Sequence, residues 1–293
     1  MNSEEIEKLK KAGEIAQMII PYAKGFIKKD MLLLEIAEKI EKKIEELGGK
    51  PAFPVNTSIN HVAAHYTPSI DDKSTAKGLL KIDFGVHIDG YISDNAFSLN
   101  LEHNENNNRL IHAAEEALKN VLNEINSKMS FSQAGEIIQK SIMKHGFAPI
   151  RNLSGHGIAP YIIHAGKTVP NYDNKNDNVL GEGYYAIEPF ATNGNGSVHE
   201  GGESGIYALI KKKPVRDELA RKIIQFIEHN YKTLPFCSRW IVKEFSSRAL
   251  FSLRILEQNG IIKHYPQLVE DGGGIVSQAE RTLYISKDEV ILC

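Results

Sequence analysis

Two aspartates, Asp83 and Asp94, stand inside otherwise apolar or β-branched sequence on either side of His87-Ile88-Asp89-Gly90. The flanking runs, Leu79 to Val86 and Tyr91 to Leu99, have the pattern of strands, and Asp-Gly between them predicts a hairpin. A two-residue turn at 89–90 places Asp94 opposite Gly85 and diagonal to Asp83, whereas a four-residue turn over 87–90 sets the two aspartates directly opposite. Side chains alternate faces with period two, so either register puts both carboxylates on one face, within reach of one ion. Carboxylates are costly to bury, and two so close together need a cation or a proton between them. The competing reading makes Asp94 a cap at the hairpin end and pairs Asp83 with Lys81 or Arg151.

Three further positions extend the set. His156 sits in Ser154-Gly155-His156-Gly157, which reads as an exposed loop whose glycines permit close approach, and neutral imidazole is the commonest metal ligand. Glu188 interrupts the run Tyr184 to Phe190, and Glu280 opens Glu280-Arg281-Thr282-Leu283-Tyr284-Ile285; each also reads as a surface glutamate on an edge strand. Four carboxylates and one imidazole form an oxygen-rich donor set whose charge balances two dications. Such a pair of ions lowers the pKa of a water and clamps both oxygens of a tetrahedral intermediate.

These residues need a sheet and something to cover it. Residues 4–24 and 31–47 read as amphipathic helices; in the second, Leu33, Ile36, Ile40, Ile44 and Leu47 recur at helical spacing, Asp30 is the candidate cap and Gly48-Gly49 the stop. Further helices are expected at 105–127, 132–145, 215–232 and 239–259, strands at 184–190 and 279–292, and Asn/Gly-rich loops at 170–183 and 193–205. The mixture is that of an α/β or α+β protein, with the two late helices inserted between two strands.

The 293 residues carry 35 basic and 37 acidic side chains, a formal net charge of −2, which argues against nucleic acid or anionic membrane as the main partner. The stretch 239–259 lacks the basic clustering of a DNA-reading helix pair. Cys237 and Cys293 are the only cysteines and are far apart, so neither a disulfide framework nor a Cys-x-x-Cys knuckle is expected, and a reducing cytoplasm fits. The first residues are acidic where a signal peptide is basic, and no apolar run approaches the roughly 20 residues of a membrane helix.

The ordered set Asp83, Asp94, His156, Glu188 and Glu280 resembles the ligand set of type 2 methionine aminopeptidases in their archaeal form. So do Ala63-Ala64-His65-Tyr66-Thr67-Pro68, Ile82-Asp83-Phe84-Gly85, His164-Ala165-Gly166-Lys167-Thr168-Val169-Pro170 and Glu188-Pro189-Phe190. The resemblance spans essentially the whole chain. It implies a pita-bread fold, in which a curved antiparallel sheet covered by helices forms one catalytic domain over 1–293, with the helical type 2 insertion at 206–270. It also implies two divalent ions, of Co, Mn, Fe or Zn, with Asp83 chelating one, Asp94 and Glu280 bridging, and His156 and Glu188 completing the other.

Glu188 would double as general base and acid, and His65 and His164 would flank the scissile amide. Phe53, Tyr265 and Gln278 would line the substrate site together with those histidines. One departure is local: Gly205-Ile206 stands where many relatives carry a polar or histidine-containing pair.

The activity implied is removal of the initiator methionine from nascent chains with a small second residue, by a cytoplasmic monomer in transient contact with the ribosome. Two alternatives remain. One is an Xaa-Pro aminopeptidase or prolidase, which carries a substantial extra N-terminal domain. The other is a metal-free pita-bread scaffold that binds RNA or the ribosome, which would have lost ligands.

Overall fold

The structure is a computed structural model that describes residues 1–293. The chain opens with helices α1 (Ser3–Phe26) and α2 (Leu33–Glu46), then short strands β1 (Lys50–Pro51), β2 (Asn56–Ile59) and β3 (Val62–Ala64), and the long hairpin β4 (Leu79–Ile88) and β5 (Tyr91–Asn100). Helices α3 (Glu105–Glu124) and α4 (Phe131–Lys144) follow, then β6 (Ala148–Pro149), β7 (Ser154–Gly157), β8 (Thr168–Pro170), β9 (Gly183–Ile187), β10 (Phe190–Thr192), β11 (Val198–Glu200) and β12 (Ile206–Leu209). Helix α5 (Glu218–Asn230), strand β13 (Phe236–Cys237) and helices α6 (Ser238–Phe245) and α7 (Ala249–Gln258) come next. The chain closes with β14 (Ile262–Tyr265), β15 (Leu268–Glu270), β16 (Val276–Gln278), β17 (Glu280–Ile285) and β18 (Val290–Leu292).

Nine strands form one antiparallel sheet in the order β1-β4-β5-β17-β9-β7-β8, with β2 also on β4 and β18 also on β17. Its face is decided residue by residue. Along β4, Leu80, Ile82, Phe84 and Val86 point into the apolar core under α1 and α2, which contribute Ile15, Ile19, Ile36 and Ile40. Along β9 and β17, Tyr185, Ile187, Leu283 and Ile285 enter the core under α3 and α4. All four helices therefore cover one face, and the intervening residues, Asp83 among them, turn to the other.

Local chemistry sets the helix boundaries. Asn2 and Glu5 form a reciprocal capping box at α1, with bonds of 2.9 and 2.7 Å, and Ser130 and Gln133 do the same at α4. Helix α2 starts without the expected cap: Asp30 sits at φ +67° ahead of the N-cap Leu32, which makes no side-chain capping bond. Gly48, at φ +86°, supplies the left-handed stop.

Several expected elements are divided. The run 239–259 is two helices, parted at Ser246, whose φ of +66° lies outside the right-handed helical region. The strand expected over 184–190 ends at Ile187 and resumes at Phe190, with Glu188-Pro189 between, and the one expected over 279–292 is broken by a turn at 286–289. The segment 193–205 is not all loop, since Val198–Glu200 pairs with β15. Helices α5 to α7 build their own core with β12 to β14 around Phe236, Ile241 and Leu253.

This outer unit is tied to α2 by a buried ion pair. Arg239 donates to both oxygens of Glu41 at 2.7 and 2.8 Å, and Trp240 Nε1 and the Val55 amide also donate to Glu41.

Candidate metal centre and active site

The β4–β5 register pairs Gly85 with Asp94 and Asp83 with Ala96, as a two-residue turn requires. Asp94 is therefore a diagonal neighbour of Asp83 on the face away from the helices. Glu280 pairs with Ala96 from the other side, and His156 pairs with Ala186, which in turn faces Thr282. Small side chains at 96 and 186 leave the space between the longer ones. Glu188, just beyond β9, completes the group: His156 Nε2 lies 3.6 Å from Asp94 Oδ2 and 4.0 Å from Glu188 Oε1. Five residues from widely separated parts of the chain thus converge on one patch.

Three sequence expectations are corrected here. His156 lies not in an exposed loop but on β7, buried, and Gly155 beside it lets β7 approach β9: a Cβ there would meet the Ala186 carbonyl oxygen at 2.4 Å. Glu280 is not a surface residue but is 3% exposed, the same as Asp94. The pairing of Asp83 with Lys81 or Arg151 does not occur either. Lys81 is wholly buried and its ammonium donates to the Asn60 and Val276 carbonyls at 3.0 and 2.9 Å, while Arg151 lies over the Tyr172 ring.

Electrostatics makes the cluster unstable by itself. Burial pushes Asp83 up to about 7, and burial followed by the mutual repulsion of their carboxylates holds Asp94, Glu188 and Glu280 well above the usual carboxylate range. Burial likewise depresses His156 to about 3, keeping its ring neutral. Asp83 Oδ1, Asp94 Oδ1, Glu280 Oε1 and Gln278 Oε1 are buried with no hydrogen-bond donor. Buried acceptors with no donor, beside a neutral imidazole, fit a divalent cation. The nearest ligand atoms of Asp94, His156 and Glu280 all lie within 4.8 Å of one another.

Neighbouring side chains fix the set. Thr282 Oγ1 accepts from the Asp94 amide at 2.7 Å and donates to the Asp94 carbonyl at 3.0 Å. Gln278 Nε2 donates to Glu280 Oε2 at 3.4 Å, and Ser98 Oγ exchanges hydrogen bonds with the Gln278 backbone. Thr282 and Ser98 carry no signal in the sequence that separates them from ordinary strand residues.

The cluster forms the floor of a cavity of about 380 Å³, whose walls include Phe53, His65, His164, Tyr265 and Gln278. His164 stands with its ring centroid 4.5 Å from that of His156, and His65 and Tyr265 meet edge to face at 5.8 Å. His65, at φ +62°, bonds through Nδ1 to the Pro266 carbonyl at 3.2 Å. Burial first, then the charge of His164, lowers His65 to about 4; burial also lowers His164. Asn56, Ile206, Pro235 and Leu268 line the cavity as well, and none was singled out in the sequence as a site residue, because short strands and a connection distant in sequence bring them there. Gly85 has a steric role: a Cβ on it would meet the Phe53 ring at 2.5 Å.

The sequence profile of metallopeptidase family M24 matches residues 7–233. A methionine aminopeptidase of Pyrococcus horikoshii is 45% identical over 291 residues, 98% of each chain, and one of Archaeoglobus fulgidus is 44% identical over 288 residues, 97% of each. The solved structure of a thermophilic Arx1 superposes with a TM-score of 0.88 over 100% of this chain and 91% of its own, at 15% identity, a likeness of fold alone. A profile spanning most of the chain and relatives this similar along nearly its whole length show that the protein belongs to metallopeptidase family M24, among the archaeal-like methionine aminopeptidases, metal-dependent hydrolases that remove N-terminal methionine.

Proposed function

We propose that Asp83, Asp94, His156, Glu188 and Glu280 would hold two divalent ions, Asp94 and Glu280 serving as ligands common to both, and that methionyl peptides are cleaved in the cavity above. The observation that carries this reading is the convergence of four carboxylates, Asp94 and Glu280 buried and Asp83 and Glu188 partly so, several with donorless oxygens, beside a neutral imidazole. When bound, such ions supply Lewis acidity toward the scissile carbonyl and lower the pKa of a water. Their identity among Co, Mn, Fe and Zn follows from availability, since mixed carboxylate and imidazole sites accept each.

The protein's own residues do the rest. Glu188 takes a proton from the attacking water and delivers it to the leaving amine, a task suited to a carboxyl whose proton affinity burial has raised. His65, when neutral, donates through Nδ1 to Pro266 and so presents a lone pair on Nε2, which accepts an N–H of the substrate. His164 has the oxyanion role, donating to the carbonyl oxygen as it gains charge. Phe53, Tyr265, Ile206 and Pro235 give the cavity an apolar side for an unbranched, polarizable methionine side chain. Gln278 orients Glu280. The confined volume favours a small second residue.

We read residues 1–293 as one catalytic unit and 206–270 as an insertion that closes the cavity through Ile206, Pro235 and Tyr265. No helix is long and apolar enough to cross a membrane. Nascent chains in the cytoplasm are the proposed substrates, met transiently at the ribosome by a monomer.

The test is release of free methionine from Met-Ala-Ser and Met-Lys-Ser by protein stripped of metal and then resupplied with Co²⁺ or Mn²⁺, beside an Asp94→Ala control. Cleavage of the first peptide alone, dependent on metal and abolished by the substitution, is expected. Equal cleavage of both peptides, or activity that survives Asp94→Ala, would overturn the assignment.

A further inference from the structure

A second group of ligand-type side chains lies on the helix-covered side of the sheet, at the corner where α3 passes the end of α4. His112 and Glu116 are one turn apart on α3, and His145 is the C-cap residue of α4, its backbone fixed by Gly146 at φ +81° and by Arg109, whose Nη2 donates to the His145 carbonyl at 3.2 Å. Both imidazoles direct Nε2 at the same carboxylate oxygen: Glu116 Oε2 is 2.6 Å from His145 and 3.4 Å from His112. The rings stand edge to face with centroids 5.1 Å apart, and the three ligand atoms lie within 4.8 Å of one another. Lys144 Nζ holds the other oxygen, Oε1, at 2.8 Å.

We propose that His112 Nε2, Glu116 Oε2 and His145 Nε2 form a surface site for one divalent transition-metal ion, separate from the catalytic cluster. The donor set names the class of ion. Two imidazole nitrogens and one carboxylate oxygen suit Zn²⁺, Ni²⁺ or Cu²⁺, whereas Mg²⁺ and Ca²⁺ prefer oxygen alone. Helical geometry supplies two of the three ligands in place, since residues four apart share a face. Lys144 acts in two opposing ways: by occupying Oε1 it leaves Oε2 as the single coordinating oxygen, and by its charge it weakens the binding of a cation. An ion held here joins α3 to the end of α4, stabilising the pair of helices that covers β9 and β17. It also adds to the metal content of the protein without contributing to hydrolysis.

Equilibrium dialysis against Zn²⁺ and against Mg²⁺, with bound metal counted per chain, tests the proposal on the full-length protein and on a His112→Ala/His145→Ala variant. Expected is the loss of about one zinc per chain in the variant, with methionine release and magnesium uptake unchanged. Lys144→Ala, which removes the competing cation and no ligand, should bind zinc at that site severalfold more tightly and raise the zinc-dependent increase in Tm. Zinc uptake by the double variant equal to that of the unsubstituted protein would overturn the site, and so would a corner that takes Mg²⁺ as readily as Zn²⁺. Asp94→Ala separates the two centres: it should diminish metal at the catalytic cluster and leave the zinc at this corner in place.

Discussion

Gly85 lies directly opposite Asp94 across the β4–β5 ladder, and the space its missing side chain leaves is filled by the Phe53 ring, 2.5 Å from where a Cβ would stand. One backbone pair thus links a carboxylate of the proposed metal site to the apolar wall of the cavity. Ala52 Cβ lies 2.8 Å from the same point, so an added methyl would meet two neighbours at once. Gly85→Ala should destabilise the fold by about 1–3 kcal/mol through overpacking and raise KM for Met-Ala-Ser more than it lowers kcat. A thermal melt beside steady-state kinetics checks both; an unchanged KM would mean that Phe53 does not border bound methionine.

The raised carboxyls give metal-free protein a pH dependence of definite sign. Asp83 goes from an ordinary 3.8 up to about 7 in the fold, so the native state holds its proton more tightly than the unfolded chain. The associated stability is present at low pH and is lost as pH rises through about 7, and the upward shifts of Asp94, Glu188 and Glu280 act in the same direction. His65 and His156 act oppositely, since their depressed values cost stability as pH falls below 6.5. Above 6.5 the histidines no longer contribute, and Lys81, which burial lowers to about 7, gains stability as pH rises and so opposes the carboxyls; the carboxyls outnumber it, so Tm of metal-stripped protein should fall from there toward pH 8, and added metal should abolish the fall. A flat profile without metal would contradict the burial of these charges.

Asp94→Asn extends that reasoning. It removes one of the mutually repelling buried carboxylates while keeping the shape, so metal-stripped variant should melt higher than metal-stripped parent at pH 8, yet gain less on adding metal. Calorimetry with and without Mn²⁺ gives both comparisons. A variant that melts lower than the parent in both states would show that Asp94 is held by hydrogen bonds rather than by a cation.

The face on which the carboxylates gather was legible in the sequence wherever strand alternation reports it. Asp83, Asp94 and Glu280 stand out because each is a charge in a run whose neighbours belong to a core, and the period of two then fixes their common side. His156 escaped this logic because Gly155 and Gly157 flank it, and a strand rich in glycine forms only through pairing with β8 and β9. The break at Ser246 was invisible for a related reason, since apolar periodicity continues across it into α7. Lys81 gave no sign that it would be buried on two carbonyls supplied from residues 60 and 276. Asn56, Ile206 and Pro235 reach the cavity only through tertiary folding.

The Glu41–Arg239 pair should prove costly to break from one side. Arg239 is 1% exposed and shares the Glu41 carboxylate with Trp240, so Glu41→Ala strands a buried guanidinium. A loss of about 3–5 kcal/mol is expected. Replacing both with apolar residues of similar volume should restore much of it. Urea titration of the single and double variants measures the coupling, and a single variant within 1 kcal/mol of the parent, less than about a third of the loss expected, would show that the pair does not anchor α6 to α2.

His164→Ala should lower kcat by roughly 10²–10³ while leaving bound metal unchanged, the expected loss when an oxyanion donor is removed. Metal analysis beside kinetics separates this from damage to the adjacent His156. Loss of metal together with activity would reassign His164 as a support of the ligand set.

His65 offers the sharpest test of the roles given to the two cavity histidines. Its Nδ1 faces a carbonyl oxygen, which can only accept, so the neutral ring must carry its proton there and leave Nε2 bare. Burial lowers the ring's pKa to about 4, so the ring is neutral at pH 7 and its tautomer is set by that carbonyl. Nitrogen NMR of labelled protein should therefore show a protonated Nδ1 and an unprotonated Nε2 at pH 7, and the pH profile of kcat/KM should show no inflection from His65 near 6.5. His65→Ala should reduce kcat/KM about tenfold, the worth of one net hydrogen bond of about 1.4 kcal/mol. A proton found on Nε2 instead would make His65 a donor toward the substrate carbonyl and exchange its role with that of His164.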